Sequence, residues 1–566
     1  MSDYKNFSFR LVDIGLDIRN TSDKVNEGKW VVLENVQSLQ EGALATRTGA
    51  TLQTQITVPG IAEDLTVHTL RRLAPVDVLL PTGTEPFILL IGAGERLYRN
   101  TKANGYSTGW SGNPLSVIPY KPKLSSNAWS YVGDSEKMRK IDIRGREFKW
   151  GISPPTEVAS FNAAQAGGVD VAGNLNSSAA GASVYDWRYT YFSTETGAES
   201  NPSPTMSPGI ALVAKQGYIN VTASIDPQVD QIRLYRRGGT NGTAVWRLSV
   251  TGPNVNRSII DNQADSAIAL AEKLSITNDV PFTSVSGDSN TGSQKGEQTL
   301  HEVPMPYVAG PFIGKYMIAC GDVNRPGHVY WTNPESPDSA SPINNLQVTS
   351  PQEPLVGAFL YGSQPFLWTR DNLHKLDYGG PTAVPTFVPR KTGCGRGITA
   401  PWAYDVGPVI FFVSQDAIYA TDGDSPAESL TEESIRPIFS GQSVTFAQGD
   451  SAGTYYPIDF TEPAAIRLHY IGQELHFIYK DTEGDRQHFI YHIMYKRWRK
   501  RTSGEITTAS VYGQENSAFL KLYYGGEDGF VHVGNNTLIT DAGETVTSRA
   551  RTGLLDFNMP HTLKEF

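Results

Sequence analysis

Seven times along the chain, a run of strand-forming residues gives way to a short turn rich in Gly, Asp or Asn, then to a second run with an aromatic or apolar centre. The seven are FILLIGAGERLYR (87–99), WSYVGDSEKMRKID (129–142), KYMIACGDVNRPGHVYWT (315–332), PFLWTRDNLHKLD (365–377), VIFFVSQDAIYATDG (409–423), LHFIYKDTEGDRQHFIYHI (475–493) and LKLYYGGEDGFVHVG (520–534). By turn chemistry each is a β-hairpin, because Gly and Asx residues accept the backbone angles that a tight reversal demands. The later hairpins start a few tens of residues apart, which is the spacing of one four-stranded blade per repeat. Radial repetition of such sheets buries a core while leaving only short edges. The pattern therefore predicts an all-β chain built on a β-propeller of about six to eight blades.

Composition agrees with that expectation. Of 566 residues, 54 are Gly and 35 Pro, set among 26 Tyr, 22 Phe and 10 Trp. Frequent turn formers among many aromatics suit short strands on pleated, half-buried surfaces. The hairpin rhythm breaks between about residues 151 and 286. AAQAGGVDVAGNLNSSAAGAS (163–183) has little apolar bulk and reads as a connector. Period-two strands follow it: Tyr185, Trp187, Tyr189 and Tyr191 share a face, as do Ile219, Val221 and Ala223, and Trp246, Leu248 and Val250. Such alternation predicts a small β-sandwich with one buried face per sheet. Residues 265–273, with Ala267, Ala269 and Leu270, read as the chain's one helix, and SVSGDSNTGSQKGEQ (284–298) as a polar linker. The expected organisation is N-terminal propeller blades in 1–155, an inserted sandwich with its linkers in 156–290, and the remaining blades and the closure in 291–566.

The formal charge of −10 argues against a surface built to grip phosphates, though an acidic wall would let DNA slide past. Two cysteines, Cys320 and Cys394, make neither a disulfide framework nor a four-ligand zinc site. The opening MSDYKNFSFRLVDIG carries Asp3, Lys5 and Arg10 where a secretory signal needs an apolar core. The longest apolar runs, at 87–91 and 409–413, fall far short of the roughly 20 residues that span a bilayer. The expectation is a chain made in a cytoplasm, with no membrane span.

Motifs that would carry chemistry resolve into turns. The stretch 287–295 has two glycines and Lys295, but the Lys does not follow the second Gly directly and no Ser or Thr follows the Lys. Asp422, Asp424, Asp481 and Asp485 sit in turns. Glu433 falls where an EF-hand loop starting at Asp422 would close, yet Pro426 replaces a ligand and Ala427 stands where the loop needs Gly. The GxSxG pattern occurs around Ser107 and Ser451 with no helix pattern after either, so neither makes a nucleophile elbow. His488 and His492 share a strand face about 13 Å apart, too far to hold one metal. No catalytic, cofactor or metal residues are assigned, and no enzyme activity is expected. The basic run Lys496, Arg497, Trp498, Arg499, Lys500 and Arg501 is the sharpest charge feature in an acidic chain. It reads either as an intersubunit or DNA-facing patch, or as a strand with Trp498 in the core and solvated charges on either side.

Four segments give the chain a resemblance to a known family. WVVLENVQSLQEGALATRTG (30–49), GHVYWTNPESPDSASPINN (327–345), GCGRGITAPWAYDVGPVIFFVSQDAIYATDGDSPAESLTEESIRPIF (393–439) and TSRARTGLLDF (547–557) resemble stretches of the propeller-based tail nozzle, or tail tube hub, proteins of short-tailed bacteriophages. TGAESNPSP (196–204) and IRLYRRGG (232–239) are similar to fibronectin-type-III-like modules of virion proteins. The resemblance implies a virion structural protein made in the host bacterial cytoplasm. It would act as a homo-oligomeric ring, typically of six copies, set below a tail adaptor, closing the ejection channel before infection and docking tail fibres or spikes. Genomic DNA would pass without sequence recognition, and no cofactor is implied. Two alternatives remain at this stage, a virion protein that binds host-surface glycan and a propeller glycosidase. The second needs two carboxylates roughly 5–10 Å apart near the channel.

Overall fold

The computed structural model describes residues 15–552 except 20–28, 41–42, 48, 56–64, 73–88, 100–105, 127, 143–144, 163–171, 177–180, 286–299, 382, 384–385, 447–453, 503–505, 515–519, 528, 536–539 and 542–543. Each of the seven hairpins is the central pair of a four-stranded antiparallel unit, five of these units being complete sheets and the last two lying within larger sheets of seven and six strands, and the seven units are the blades of a β-propeller. Blade 1 runs Val67–Arg72, Leu89–Ala93, Arg96–Arg99 and Tyr106–Thr108, and blade 2 runs Ser116–Tyr120, Trp129–Gly133, Met138–Ile141 and Glu147–Lys149. Blade 3 opens with Tyr307–Phe312, blade 4 with Gly357–Tyr361, blade 5 with Tyr404–Val406, blade 6 with Arg467–Ile471 and blade 7 with Ile506–Gln514. These first strands form the inner ring. Ile506–Gln514 lies against both Val67–Arg72 and Arg467–Ile471, so the circle is complete.

The ring closes through a strand from the far end of the sequence. Blade 7 contributes only three strands of its own, and Gly49–Gln55 pairs antiparallel with Phe530–Asn535 as the fourth. Blade 6 is extended in the same way. Lys29–Glu34 joins its outer strand Arg497–Arg501 through the pairing of Glu34 with Lys500, and Arg549–Thr552 runs antiparallel to Lys29–Glu34. Residues 29–55 therefore belong to blades 6 and 7, not to the first blades as the sequence led us to expect. A strand whose partner lies more than 400 residues away leaves no local signal of where it will pair.

Apolar side chains fill the spaces between consecutive blades. Leu90, Trp110, Val117 and Val132 join blades 1 and 2; Trp129, Tyr131, Met305 and Met317 join blades 2 and 3. Similar clusters link blades 3 to 4, 4 to 5, 5 to 6 and 7 to 1. Among the described residues no such cluster joins blades 6 and 7.

Between blades 2 and 3 the chain builds the inserted β-sandwich. Ser160–Phe161, Gly217–Val221 and Arg257–Asp261 make one sheet; Ile210–Leu212, Ser183–Phe192, Gln231–Gly238 and Arg247–Pro253 make the other. Tyr185, Trp187, Tyr189 and Tyr191 all point inward, as their spacing requires, and pack on Ile219, Val221 and Ile259. Two details differ from expectation. A β-bulge breaks the alternation, so that Leu234 pairs with Val250 but the next residue, Tyr235, pairs with Leu248. Val250 then faces the core, while Trp246 turns outward beneath the guanidiniums of Arg188 and Arg237, 5.1 and 4.6 Å from its ring. The helix is a single turn, Asp265–Ile268, because the chain beyond it pairs with the strand edge: Leu248 N–H donates to the Glu272 carbonyl at 2.9 Å and Leu274 N–H to the Trp246 carbonyl at 3.2 Å.

The returning chain docks on the propeller. Asp279 and Ala340 exchange backbone hydrogen bonds of 3.0 and 2.9 Å, and Phe282 meets Trp150 edge to face at 5.1 Å inside the core of blades 2 and 3. Gly151, at φ +86°, sits so close to Asp338 and Pro281 that a Cβ there would collide with both. Replacing residues 160–274 by a short Gly/Ser linker should therefore leave a folded propeller. Extending the deletion through 285 removes Phe282 and should cost about 3–5 kcal/mol, the range for deleting a buried Phe side chain. Thermal melts of the two deletions distinguish these outcomes, and a 160–274 deletion recovered only as aggregate would make the sandwich integral to the fold.

Candidate functional site: the polar seam between blades 6 and 7

Cross-strand register sorts the side chains of blade 6 onto two faces, because directly opposed residues point the same way. One face holds the rows Leu468–Phe477–Phe489–Lys500 and Tyr470–Leu475–Tyr491–Trp498 and packs on blade 5. The other holds Arg467–Ile478–His488–Arg501, His469–His476–Ile490–Arg499 and Ile471–Glu474–His492–Arg497. That second face, with four Arg and four His, is turned toward blade 7.

The basic run 496–501 is the outer strand of this blade, and the fold divides it. Lys496 is exposed at the hairpin tip, with φ 52°, beside the exposed Met494. Arg497 is half-buried, its guanidinium over the Tyr495 ring, and Gly15 lies against it at φ +95°, where a Cβ would come within 3.0 Å of the Arg497 Cβ. Trp498 is buried and donates its indole N–H to the Leu430 carbonyl at 2.8 Å. Arg499 is paired with Glu474. Lys500 is buried 3.9 Å from Glu34, and burial lowers its pKa. Arg501 is buried too, donating to the Tyr524 hydroxyl at 2.7 Å with Asp541 at 3.9 Å. The run is thus not one outward patch. Lys500 and Arg501 serve internal ion pairs, because the strands at 29–34 and 549–552 cover the blade edge that would otherwise have exposed them.

At the middle of the seam His476 Nδ1 and His488 Nε2 share a hydrogen bond of 3.0 Å, and both rings lie about 6 Å from Tyr524, at 6.1 and 6.2 Å. Burial holds the His476 pKa down to about 4 against the pull of Glu474, and holds His488 well below its ordinary value, with His476 and Arg501 adding to the shift. At the outer end Arg47 ties the chain ends together. It donates to Asn35 Oδ1 at 2.9 Å and to the Thr502 carbonyl at 3.0 Å, and it grips both oxygens of the Asp541 carboxylate. Asn35 in turn accepts the Thr502 N–H and donates to the Thr547 carbonyl.

At the inner end, Arg467 is 6% exposed and its Nη1 has no hydrogen-bond partner; His469, two residues on and on the same face, has an unpartnered Nε2. Arg71, exposed on the inner strand of blade 1, acts electrostatically on His469 of blade 6 and on Asp405 of blade 5.

Other sequence candidates settle into structural roles. Ser107 lies in the outer strand of blade 1 and accepts the Trp110 indole N–H at 2.8 Å. Asp422 accepts the N–H groups of Asp424 and Ser425, and Asp481 those of Glu483 and Asp485. His492 shares the polar face of blade 6 with His488. Residues 287–295 and the second GxSxG, 449–453, lie outside the described residues. Among the described residues no three His, Cys, Asp or Glu side chains gather as a metal site. Sequence reading missed Arg47, Arg467, His469, His476 and Asp541. The signal for three of them was present, since Arg467, His469 and His476 fall at alternate positions within strands whose other face is apolar.

No family model matches the chain, and no curated protein matches it. A solved structure, the crystal structure of the Saccharomyces cerevisiae Sqt1, aligns with 86% of this chain and 99% of its own at 9% identity and a TM-score of 0.32.

Proposed function

We propose that this chain is a structural component of a bacteriophage tail. It forms a homo-oligomeric ring, a nozzle or hub below the tail adaptor, through which genomic DNA passes during ejection. The observation that carries the reading is where two of the phage-like segments fall. Segment 30–49 and segment 547–557 lie far apart in sequence, yet Lys29–Glu34 and Arg549–Thr552 are paired strands, and Asn35 bonds both Arg47 and Thr547. Two of the four phage-like segments thus meet at the closure of the ring, which supports a likeness of architecture, as expected for a part that must stay shut as a rigid body. Rigid propellers can pack side by side, and heterologous contacts close into a ring when the rotation allows. The acidic balance suits a wall that must not bind the passing genome.

The hairpin tip carrying Met494, Tyr495 and Lys496 is the exposed remainder of the basic run and the surface we assign to a neighbouring copy. Lys496→Glu should weaken ring assembly by about tenfold, on the scale of a charge reversal at an interface, and leave the melting temperature unchanged. A ring that assembles equally well with this variant moves the contact elsewhere. The decisive experiment is the mass of the purified protein alone and with its candidate tail adaptor. A ring formed on the adaptor supports the nozzle reading. A monomer that ignores the adaptor and binds host polysaccharide overturns it in favour of glycan recognition, the reading that the outward Trp246 between Arg188 and Arg237 would then support.

A further inference from the structure

Lys140 is wholly buried, in the third strand of blade 2. Cross-strand register sets it between Tyr131 and Phe148 on the face that packs against blade 3, and its ammonium lies 5.4 Å from the centre of the Trp129 ring. Blade 3 sends a carboxylate into this aromatic core. Asp338 lies in the loop between His328–Trp331 and Asn345–Gln347, is buried too, and has its Oδ1 2.8 Å from Lys140 Nζ. The contact is short yet lacks the geometry of a hydrogen bond, and Lys140 Nζ has no hydrogen-bond partner. An ammonium carries three N–H donors, so burying it with none satisfied is unfavourable. A buried ion pair offsets its desolvation only when geometry and further hydrogen bonds are good.

The carboxyl group is better held than the amine. Gly151 N–H donates to Asp338 Oδ1 at 3.2 Å, and the Tyr131 hydroxyl donates to Oδ2 at 3.2 Å. Burial, with Asp338 adding to it, raises the Tyr131 pKa well above its ordinary value, so the hydroxyl stays a donor. Trp150 fixes the loop by donating its indole N–H to the Pro337 carbonyl at 2.6 Å. Each carboxyl oxygen therefore faces a donor, the arrangement that stabilises charge developing on oxygen when a nucleophile adds to the carbon.

We propose that Lys140 and Asp338 condense into an isopeptide bond, a covalent staple between blades 2 and 3. One proton passes from the ammonium to the carboxylate, which leaves a neutral amine beside a neutral carboxyl. The amine lone pair adds to Asp338 Cγ, and the negative charge falls on the oxygen that accepts from Gly151 or Tyr131. The nitrogen then gives a second proton to the hydroxyl oxygen, the C–O bond breaks and one water leaves. A C–N bond replaces a C–O bond, with no oxidant, reductant or other reactant. Well-oriented intramolecular pairs react as if at about 10⁵–10⁸ M. The product is uncharged, which removes the cost of burying the pair. Both cysteines are free, so no disulfide braces the fold. The amide bridges a gap that the backbone spans only through the inserted sandwich.

The test is the intact mass of the purified full-length protein in denaturing solvent, followed by tryptic mapping. The expected result is a mass one water below that of the sequence, with a branched peptide joining the segments of Lys140 and Asp338 and no cleavage after Lys140. Lys140→Met should restore the full mass. Asp338→Asn should expel ammonia in place of water and reach the same mass as the crosslinked wild type. The wild-type measurement stands without either variant, so a variant that fails to fold leaves the test intact. Wild-type protein at its full sequence mass overturns the staple. So does a missing water that persists in Lys140→Met, or one found in a tryptic map without the branched peptide.

Discussion

Asp541→Ala is expected to destabilise the protein by about 3–5 kcal/mol, the range for removing one partner of a buried ion pair. The carboxylate of Asp541 is gripped by Arg47 and lies 3.9 Å from Arg501, and the three side chains are 14%, 8% and 8% exposed. Removing it leaves two guanidiniums facing each other with burial already lowering the pKa of Arg47. The effect reaches beyond one contact, because Thr540–Asp541 runs beside Gly49–Gln55, the strand that completes blade 7, with Asp541 paired to Ala50. Urea unfolding would measure the loss. Arg436→Ala provides the control: its partner Glu432 is four residues away, both side chains are about half exposed, and exposed pairs of this kind contribute about 0.3–0.5 kcal/mol. A loss for Asp541→Ala no larger than for Arg436→Ala would mean that the chain ends are held by strand pairing alone.

That comparison marks where the sequence stops being informative. The seven central hairpins were legible because a Gly/Asx turn between two apolar runs is a local signal, and each proved to be the middle of a blade. Outer strands were not: Tyr106–Thr108, Asn345–Gln347 and Glu428–Ser429 are two or three residues long and too short to show a period. Trp498 was read correctly as a core residue. Lys500 and Arg501 were not read as buried, because what covers them is a strand from the other end of the chain. The polar face of blade 6 was half legible. RLHYI, LHFIYK, HFIYH and RWRKR each alternate, but only the register shows that their Arg and His residues fall on one side. The single-turn helix at 265–268 is the opposite case, a good local signal overridden where residues 272–274 pair their backbone with 246–248.

The same seam should make the protein acid-sensitive in a window set by its histidines. His476 and His68 are held down to about 4 by burial, and His469 and His488 well below their ordinary value. In the unfolded chain each titrates near 6.5, so between about pH 6.5 and 4 the unfolded state binds more protons than the folded one. Stability is then fully present above about pH 6.5 and is lost as pH falls. A shift of this size corresponds to about 3 kcal/mol for a single His by pH 4. The groups facing His488 deepen the effect: His476, Arg501, Arg47 and His469 are all cationic or would become so, and none can stabilise an imidazolium. Glu474, held below the usual carboxylate range by Arg499 and His476 although burial opposes this, loses its contribution only below about pH 4.5, the lower edge of the same window. His68 lies in blade 1, where its Nε2–H donates to the Gly94 carbonyl at 2.9 Å, and it supplies a second acid-labile point outside the seam. The double variant His476→Gln, His488→Gln cannot titrate at the centre of the seam, and its unfolding free energy should fall between pH 6.5 and 4 by at least about 3 kcal/mol less than that of the wild type. Hydrogen exchange at pH 5 should then be fastest in Gly49–Gln55 and Phe530–Asn535, the pair of strands that closes the ring beside this seam. A pH profile unchanged in the double variant would place the acid-labile element outside the seam and leave the closure resting on the ion pairs of Arg47 and Arg501.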